Sequence, residues 1–203
     1  MDENRQRLKK LHQLMGDLGY SWDKTKKIGG VIDVIDDKLQ SKVSEMRKSG
    51  LNIMMSMKDD AKPVSFIEDC AVQLKDLAEY TDGLNKIFDK YNVKGTWYAH
   101  ASVGCLHVRP VLNMKIQDDI KKMRNIANET SALVKKFNGS YSGEHGDGIA
   151  RSEFNEVMFG KQMINIFKII KNSFDPFNIF NPGKIVDAPK LDSRNLFRYA
   201  PSY

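Results

Sequence analysis

Long apolar runs are missing from this sequence. The longest stretches of that kind, Leu51 to Met57 among them, fall far short of the roughly 20 residues that a bilayer-spanning helix needs, so no transmembrane helix is expected. The opening residues, Met1-Asp2-Glu3-Asn4-Arg5, have neither the basic start, the apolar middle nor the small-residue cleavage site of a secretory leader. The expected location is therefore the cytoplasm. Cysteine is equally scarce: Cys70 and Cys105 have no CxxC partner and, in a chain without an export signal, are expected as free thiols rather than a disulfide. The sequence also shows neither an internal repeat nor a low-complexity segment.

What is present is enough to fold. The chain has 203 residues, 41% of them hydrophobic and 29% charged, and its 10 Phe, 7 Tyr and 10 Met supply the burial that disordered chains lack. One domain over residues 1–203 is the expectation. The balance of 32 Lys and Arg against 26 Asp and Glu gives +6, which by itself permits nucleic acid, an acidic surface or an anionic substrate as partner. Its distribution narrows the choice. Lys9-Lys10, Lys26-Lys27, Lys121-Lys122 and Lys135-Lys136 are scattered among acidic residues with no aromatic platform beside them, the pattern of solvated helix faces and not of a nucleic-acid surface.

Apolar periodicity predicts several helices. Leu8, Leu11, Leu14, Met15 and Leu18 predict one that stops at Gly19; Val34, Ile35, Leu39, Val43 and Met46 a second, from Val31 to about Lys48, between the Gly29-Gly30 turn and Gly50. Leu74 to Tyr91 and Ile120 to Phe137 read as two more, the latter closed by Asn138-Gly139, and Gln162 to Phe174 as the last, stopping before Asp175-Pro176. Leu51 to Met57 and Val64 to Val72 read as a hairpin around Lys58-Asp59-Asp60. Strand pairs and helices without βαβ alternation predict an α+β fold, an antiparallel sheet flanked by helices.

Three of the four histidines fall between Gly95 and Gly148; His12, alone in the first helix, reads as a surface or core-edge residue. Thr96 to Arg109 alternates in polarity about Val103-Gly104. With those two as the turn, His100 stands opposite His107, with Cβ atoms about 4.5 to 5.5 Å apart. Two imidazoles so placed can share one metal ion or hydrogen-bond separately, and spacing alone does not choose. Further on, Gly139, Gly143, Gly146 and Gly148 bracket Glu144 and His145. Such glycine density lets backbone approach something closely, or marks a surface loop. Its order, G-x-x-G-x-G, is not the dinucleotide fingerprint.

Taken in order, Met46-Arg47-Lys48-Ser49-Gly50-Leu51, Phe66-Ile67-Glu68-Asp69-Cys70-Ala71-Val72, the His100 to His107 pair, Ser142-Gly143-Glu144-His145-Gly146-Asp147-Gly148 and Asn181-Pro182-Gly183-Lys184 resemble the C-terminal cap domain of FAD-linked oxidases. These flavoproteins oxidise D-lactate, glycolate or D-2-hydroxyglutarate. The resemblance spans nearly the whole chain and implies the ferredoxin-like cap fold. It also implies a D-2-hydroxy-acid substrate oxidised to the 2-oxo acid, with hydride passing to FAD held mostly by an upstream domain. By it, residues matching His100, His107 and Glu144 hold zinc or manganese, and His145 is the catalytic base, a role imidazole chemistry suits. Arg47 and Arg109 bind the substrate carboxylate through paired guanidinium hydrogen bonds. Asn181 and Lys184 belong to the turn that approaches the flavin.

Two features depart from the usual pattern. The family's His-x-Gly-Asp-Gly-Asn-x-His is here His100-Ala101-Ser102-Val103-Gly104-Cys105-Leu106-His107, and Arg109 stands where an asparagine is common. Both look like the long relatives fused to an iron-sulfur domain, which implies a cluster downstream and an electron acceptor, with peripheral membrane association through that acceptor as an alternative location. A homodimer is compatible with this reading. Without the resemblance, the His100, His107 and Glu144 set equally fits a zinc hydrolase, though no HExxH motif accompanies it, and a non-catalytic domain docking an acidic partner is the third class.

Overall fold

The computed structural model describes residues 2–18 and 34–199. The chain divides into two units, Met1–Leu51 and Asn52–Tyr203. The first contains α1 (Asp2–Asp17) and most of α2 (Asp37–Met55). Helix α2 starts where Asp36 accepts the Leu39 N–H at 2.8 Å, an N-cap that satisfies one free donor of its first turn. The expected Gly29-Gly30 turn and the Val31 start of this helix lie outside the described residues. Gly50 does not end α2, and Leu51 to Met57 is not a strand: the helix runs on through Met55. Leucine and methionine are strong helix formers, and a single glycine costs only about 1 kcal/mol.

In the second unit, only β2 (Cys70–Ala71) remains of the expected strand from Val64 to Val72, and a separate short strand, β1 (Lys62–Pro63), precedes it. Between them the chain leaves the sheet, burying Phe66 and Ile67 in the core before Asp69 turns it back with φ 60°. Both strands pair antiparallel with β4 (Cys105–Leu112), as does β3 (Gly95–His100). The architecture is thus the expected α+β one. β4 has period-two alternation that sends Leu106, Val108 and Leu112 inward. There they meet Tyr80, Leu84 and Phe88 of α3 (Leu77–Lys90) and Ile120, Met123, Ile126 and Val134 of α4 (Gln117–Lys136). These two helices fall where periodicity predicts them. Asn138, in the left-handed region at φ 50°, closes α4, with the Gly139 N–H on the Val134 carbonyl.

Helices α5 (Gly148–Arg151), α6 (Asn155–Phe159) and α7 (Lys161–Phe174) follow. Although α7 has the expected apolar stripe, none of its residues is buried, and Ile166, Ile169, Ile170 and Phe174 are exposed. After α7, the Asp175 carboxylate accepts the Ile179 and Phe180 N–H groups at 2.9 Å each, shaping the approach to the Asn181-Pro182-Gly183-Lys184 turn.

Candidate functional site

The site is built on the outward face of β3 and β4. Their connection is not a two-residue turn. A single helical turn over Ala101–Val103 leads into Gly104 at φ 70°, so the loop holds four residues and the register moves: His100 lies opposite Cys105, and Tyr98 opposite His107. Val103 is β-branched and poorly suited to the positive φ that a tight Val-Gly turn demands, whereas Gly104 takes it freely. A side chain at Gly104 would also drive a Cβ to 1.9 Å from the Val72 carbonyl oxygen. Because the shift is two residues, the face is preserved. His100 and His107 become diagonal neighbours, with ring centroids 5.0 Å apart.

The second arm is the Gly143 to Gly148 loop, and it is organised from beneath by Asp69, which is completely buried. One oxygen of Asp69, Oδ2, accepts the backbone N–H groups of Glu144 and His145 at 2.8 Å each and the Ser142 hydroxyl at 3.2 Å. The other, Oδ1, pairs with buried Arg151, which also donates to the Glu68 and Gly146 carbonyls. Gly143 donates to the Asp69 carbonyl at 2.8 Å, and a Cβ on Gly143 would lie 2.7 Å from that oxygen. The glycine is therefore there for close backbone approach. Burial pushes the Asp69 carboxyl upward, but the two backbone donors and Arg151 outweigh it and hold it below its ordinary value.

The two arms converge. His107 Nε2 lies 2.8 Å from Glu144 Oε1, and His100 Nε2 lies 3.5 Å from the same oxygen. His145 stands alongside, its Nε2 3.7 Å from Glu144 Oε1 and its Nδ1 3.7 Å from Asp69 Oδ1. The ligand atoms of His100, His107 and Glu144 all lie within 4.8 Å of one another. The His107 side chain is 3% exposed, and neither ring nitrogen has an aligned hydrogen-bond partner despite the close approach of Glu144. Buried polar atoms are rarely left so. Two imidazole nitrogens, one of them buried and orphaned, and a carboxylate oxygen fit a divalent ion such as zinc, with coordination left open for a small molecule.

Sequence reasoning assigned no role to Glu68, Asp69, Tyr98 or Arg151. The sequence does carry a signal for the first two: adjacent acids inside the otherwise apolar Phe66 to Val72 segment. Glu68 is buried and accepts hydrogen bonds from Arg109 and, at 3.2 Å, from the Tyr98 hydroxyl. Burial pushes its carboxyl upward, yet Arg109 and Tyr98 bring it below the ordinary range. Arg109 thus has a guanidinium nitrogen on Glu68, and its Nε is buried without a partner. Arg47 is an exposed residue of α2 in the first unit. Asn181, at φ 47°, and Lys184 are exposed in their turn, which the Ile185 N–H ties to the Ser152 hydroxyl at 2.9 Å. Cys70 and Cys105 are buried free thiols, pushed up by burial to about 12 and about 11.

Among the described residues, no helix is long and apolar enough to cross a membrane. The chain is 34% identical over 154 residues to a D-2-hydroxyglutarate dehydrogenase of Haemophilus influenzae, an alignment covering 76% of this chain and 15% of that relative. It is 29% identical over 143 residues to glycolate oxidase subunit GlcD of Bacillus subtilis, covering 70% of this chain and 30% of the relative. With a D-lactate dehydrogenase of Archaeoglobus fulgidus it shares 31% over 125 residues, 62% of this chain and 27% of the relative. The chain therefore spans a minor part of each of these relatives. The model for the C-terminal domain of FAD linked oxidases matches residues 2–185, and the chain belongs to that family.

Proposed function

We propose that this chain is the substrate- and metal-binding part of an FAD-dependent oxidoreductase that converts a D-2-hydroxy acid to the 2-oxo acid. The observation that carries the reading is the convergence of His100, His107 and Glu144 on one point with His145 beside them. FAD, when bound, supplies the hydride acceptor. His100, His107 and Glu144 would hold zinc or manganese, whose charge would acidify a nearby substrate hydroxyl.

In this reading His145 receives the hydroxyl proton. Its side chain is 44% exposed, so substrate can reach it, while Asp69 fixes its backbone N–H and stands 3.7 Å from its Nδ1. That leaves Nε2 on the side of Glu144, where the substrate hydroxyl would sit. Arg47 remains a candidate for the substrate carboxylate, and the Asn181 to Lys184 turn for contact with the flavin. The relatives named D-2-hydroxyglutarate dehydrogenase make a dicarboxylic hydroxy acid the first substrate to try. Family membership sets this reading ahead of a zinc hydrolase or a docking domain.

The test is anaerobic absorbance of the FAD-loaded flavoprotein before and after D-2-hydroxyglutarate, D-lactate or glycolate. Bleaching by one acid is expected, and His145→Asn is expected to slow it by roughly 10²- to 10⁴-fold. A bound flavin that none of the acids reduces would overturn the substrate class, and an undiminished rate in His145→Asn would overturn the base.

A further inference from the structure

Behind His107, on the side away from Glu144, the structure places a second carboxylate. Glu68 Oε1 is 3.5 Å from His107 Nδ1, and the same oxygen receives Arg109 and the Tyr98 hydroxyl. Tyr98 does more than hold Glu68. As the cross-strand partner of His107 it lies flat on the imidazole, with centroids 4.5 Å apart and planes 13° from parallel. All four residues belong to one arrangement made by strand register and by the loop between β1 and β2.

An imidazole that ligates a metal through Nε2 must have its proton on Nδ1, and in known sites that proton usually goes to a carboxylate or carbonyl that sets tautomer and ring orientation. His107 is too buried for water to make this choice. We propose that Glu68, 3.5 Å from Nδ1 but not aligned with it here, is the positioning residue of His107, closing on the Nδ1–H when Nε2 faces an ion on the Glu144 side, and that Arg109 acts through Glu68 instead of clamping substrate. Arg109 supplies the counter-charge that makes a buried carboxylate tolerable there, and the Tyr98 ring blocks rotation of the imidazole. Glu68, His107 and His145 also bring ligand atoms within 4.8 Å of one another. A second cation at that point would compete with Arg109 for the very oxygen it occupies, so the charge balance favours one ion in front of His107 and a carboxylate behind it. The inference rests on the metal reading of His107 for its purpose but not for its geometry.

Two measurements separate the layers. Titration calorimetry of the purified protein with Zn²⁺ and with Mn²⁺ reads affinity, and ¹⁵N NMR of the protein with and without Zn²⁺ reads the His107 tautomer. In the Zn²⁺-loaded wild type, His107 is expected with Nδ1 protonated and Nε2 without a proton, whereas without metal Glu144 Oε1, 2.8 Å from Nε2, competes for the proton. The double variant Glu68→Met/Arg109→Met removes the acceptor and its counter-charge together, leaving no lone buried charge. It is expected to bind metal roughly 10- to 100-fold more weakly and to lose the pure Nδ1–H signature. Should that variant fail to fold by circular dichroism, Glu68→Gln, which keeps the shape, is expected to weaken metal binding by about tenfold, the low end of that range. Unchanged affinity and tautomer in a folded variant would overturn the proposal. A wild type that binds neither ion yet shows the Nδ1–H tautomer, lost in the variant, would sink the metal reading and leave the role of Glu68 standing.

Discussion

The two arms of the site hold their side chains by opposite means. On β4, His107 is gripped directly: a strand paired on both edges carries it, Tyr98 covers its ring and Glu68 stands behind it, leaving its side chain 3% exposed. On the Gly143 to Gly148 loop, Glu144 and His145 have side chains 43% and 44% exposed, and the protein grips their backbone through Asp69. A ligand set in a sheet takes its position from register. Residues in a glycine loop take theirs from where the N–H groups are tied, and their side chains stay free to meet a substrate. In the proposed function, a buried metal ligand beside an accessible base would use one arm of each kind.

The sharpest way to break this contrast is Asp69→Ala. It unties the loop and strands Arg151 as a buried uncompensated charge, so a loss of about 3–5 kcal/mol in unfolding free energy is expected from urea denaturation. A loss below about 0.5 kcal/mol, the range of surface substitutions, would show that the loop arm is not held from beneath. Gly143→Ala is gentler. Its Cβ would stand 2.7 Å from the Asp69 carbonyl oxygen, and forcing that contact is expected to cost about 1–3 kcal/mol in the same experiment, with the His107 tautomer unmoved.

Acid acts on both arms and sharpens the comparison least. Glu68 and Asp69 are held below their ordinary values of 4.5 and 3.8, so the unfolded chain binds more protons in this range. Their contribution is complete above those values and is lost as pH falls through the lower folded ones. Unfolding free energy is therefore expected to decline below about pH 4, with a shallower decline in Asp69→Asn. An equal slope in that variant would remove Asp69 from the account.

Much of this was legible beforehand. The helices α3, α4 and α7 follow apolar periodicity, and the polar alternation of Thr96 to Arg109 correctly puts His100 and His107 on one face. That parity survives a two-residue change of register is a property of the pleat, which is why the histidines could be paired while their opposing residues were misassigned. The segment from Leu51 to Ala71 was not legible in the same way. Short apolar runs look alike in helix and strand, and only the surroundings decide between them. The same limit separates α4 from α7: similar stripes, one buried by Tyr80, Leu84 and β4 and the other left exposed.

By itself, the sequence determined the α+β composition, the shared face of His100 and His107, and the glycine-bracketed Glu144-His145 pair, because these depend on local periodicity and on residue chemistry. Tertiary structure alone decided what Glu68, Asp69 and Arg109 pair with. A buried charge takes its role from the partner that neutralises it. Here those partners, Arg109 and the Tyr98 hydroxyl for one acid and Arg151 with the backbone of Glu144 and His145 for the other, arrive from segments that sequence distance does not connect.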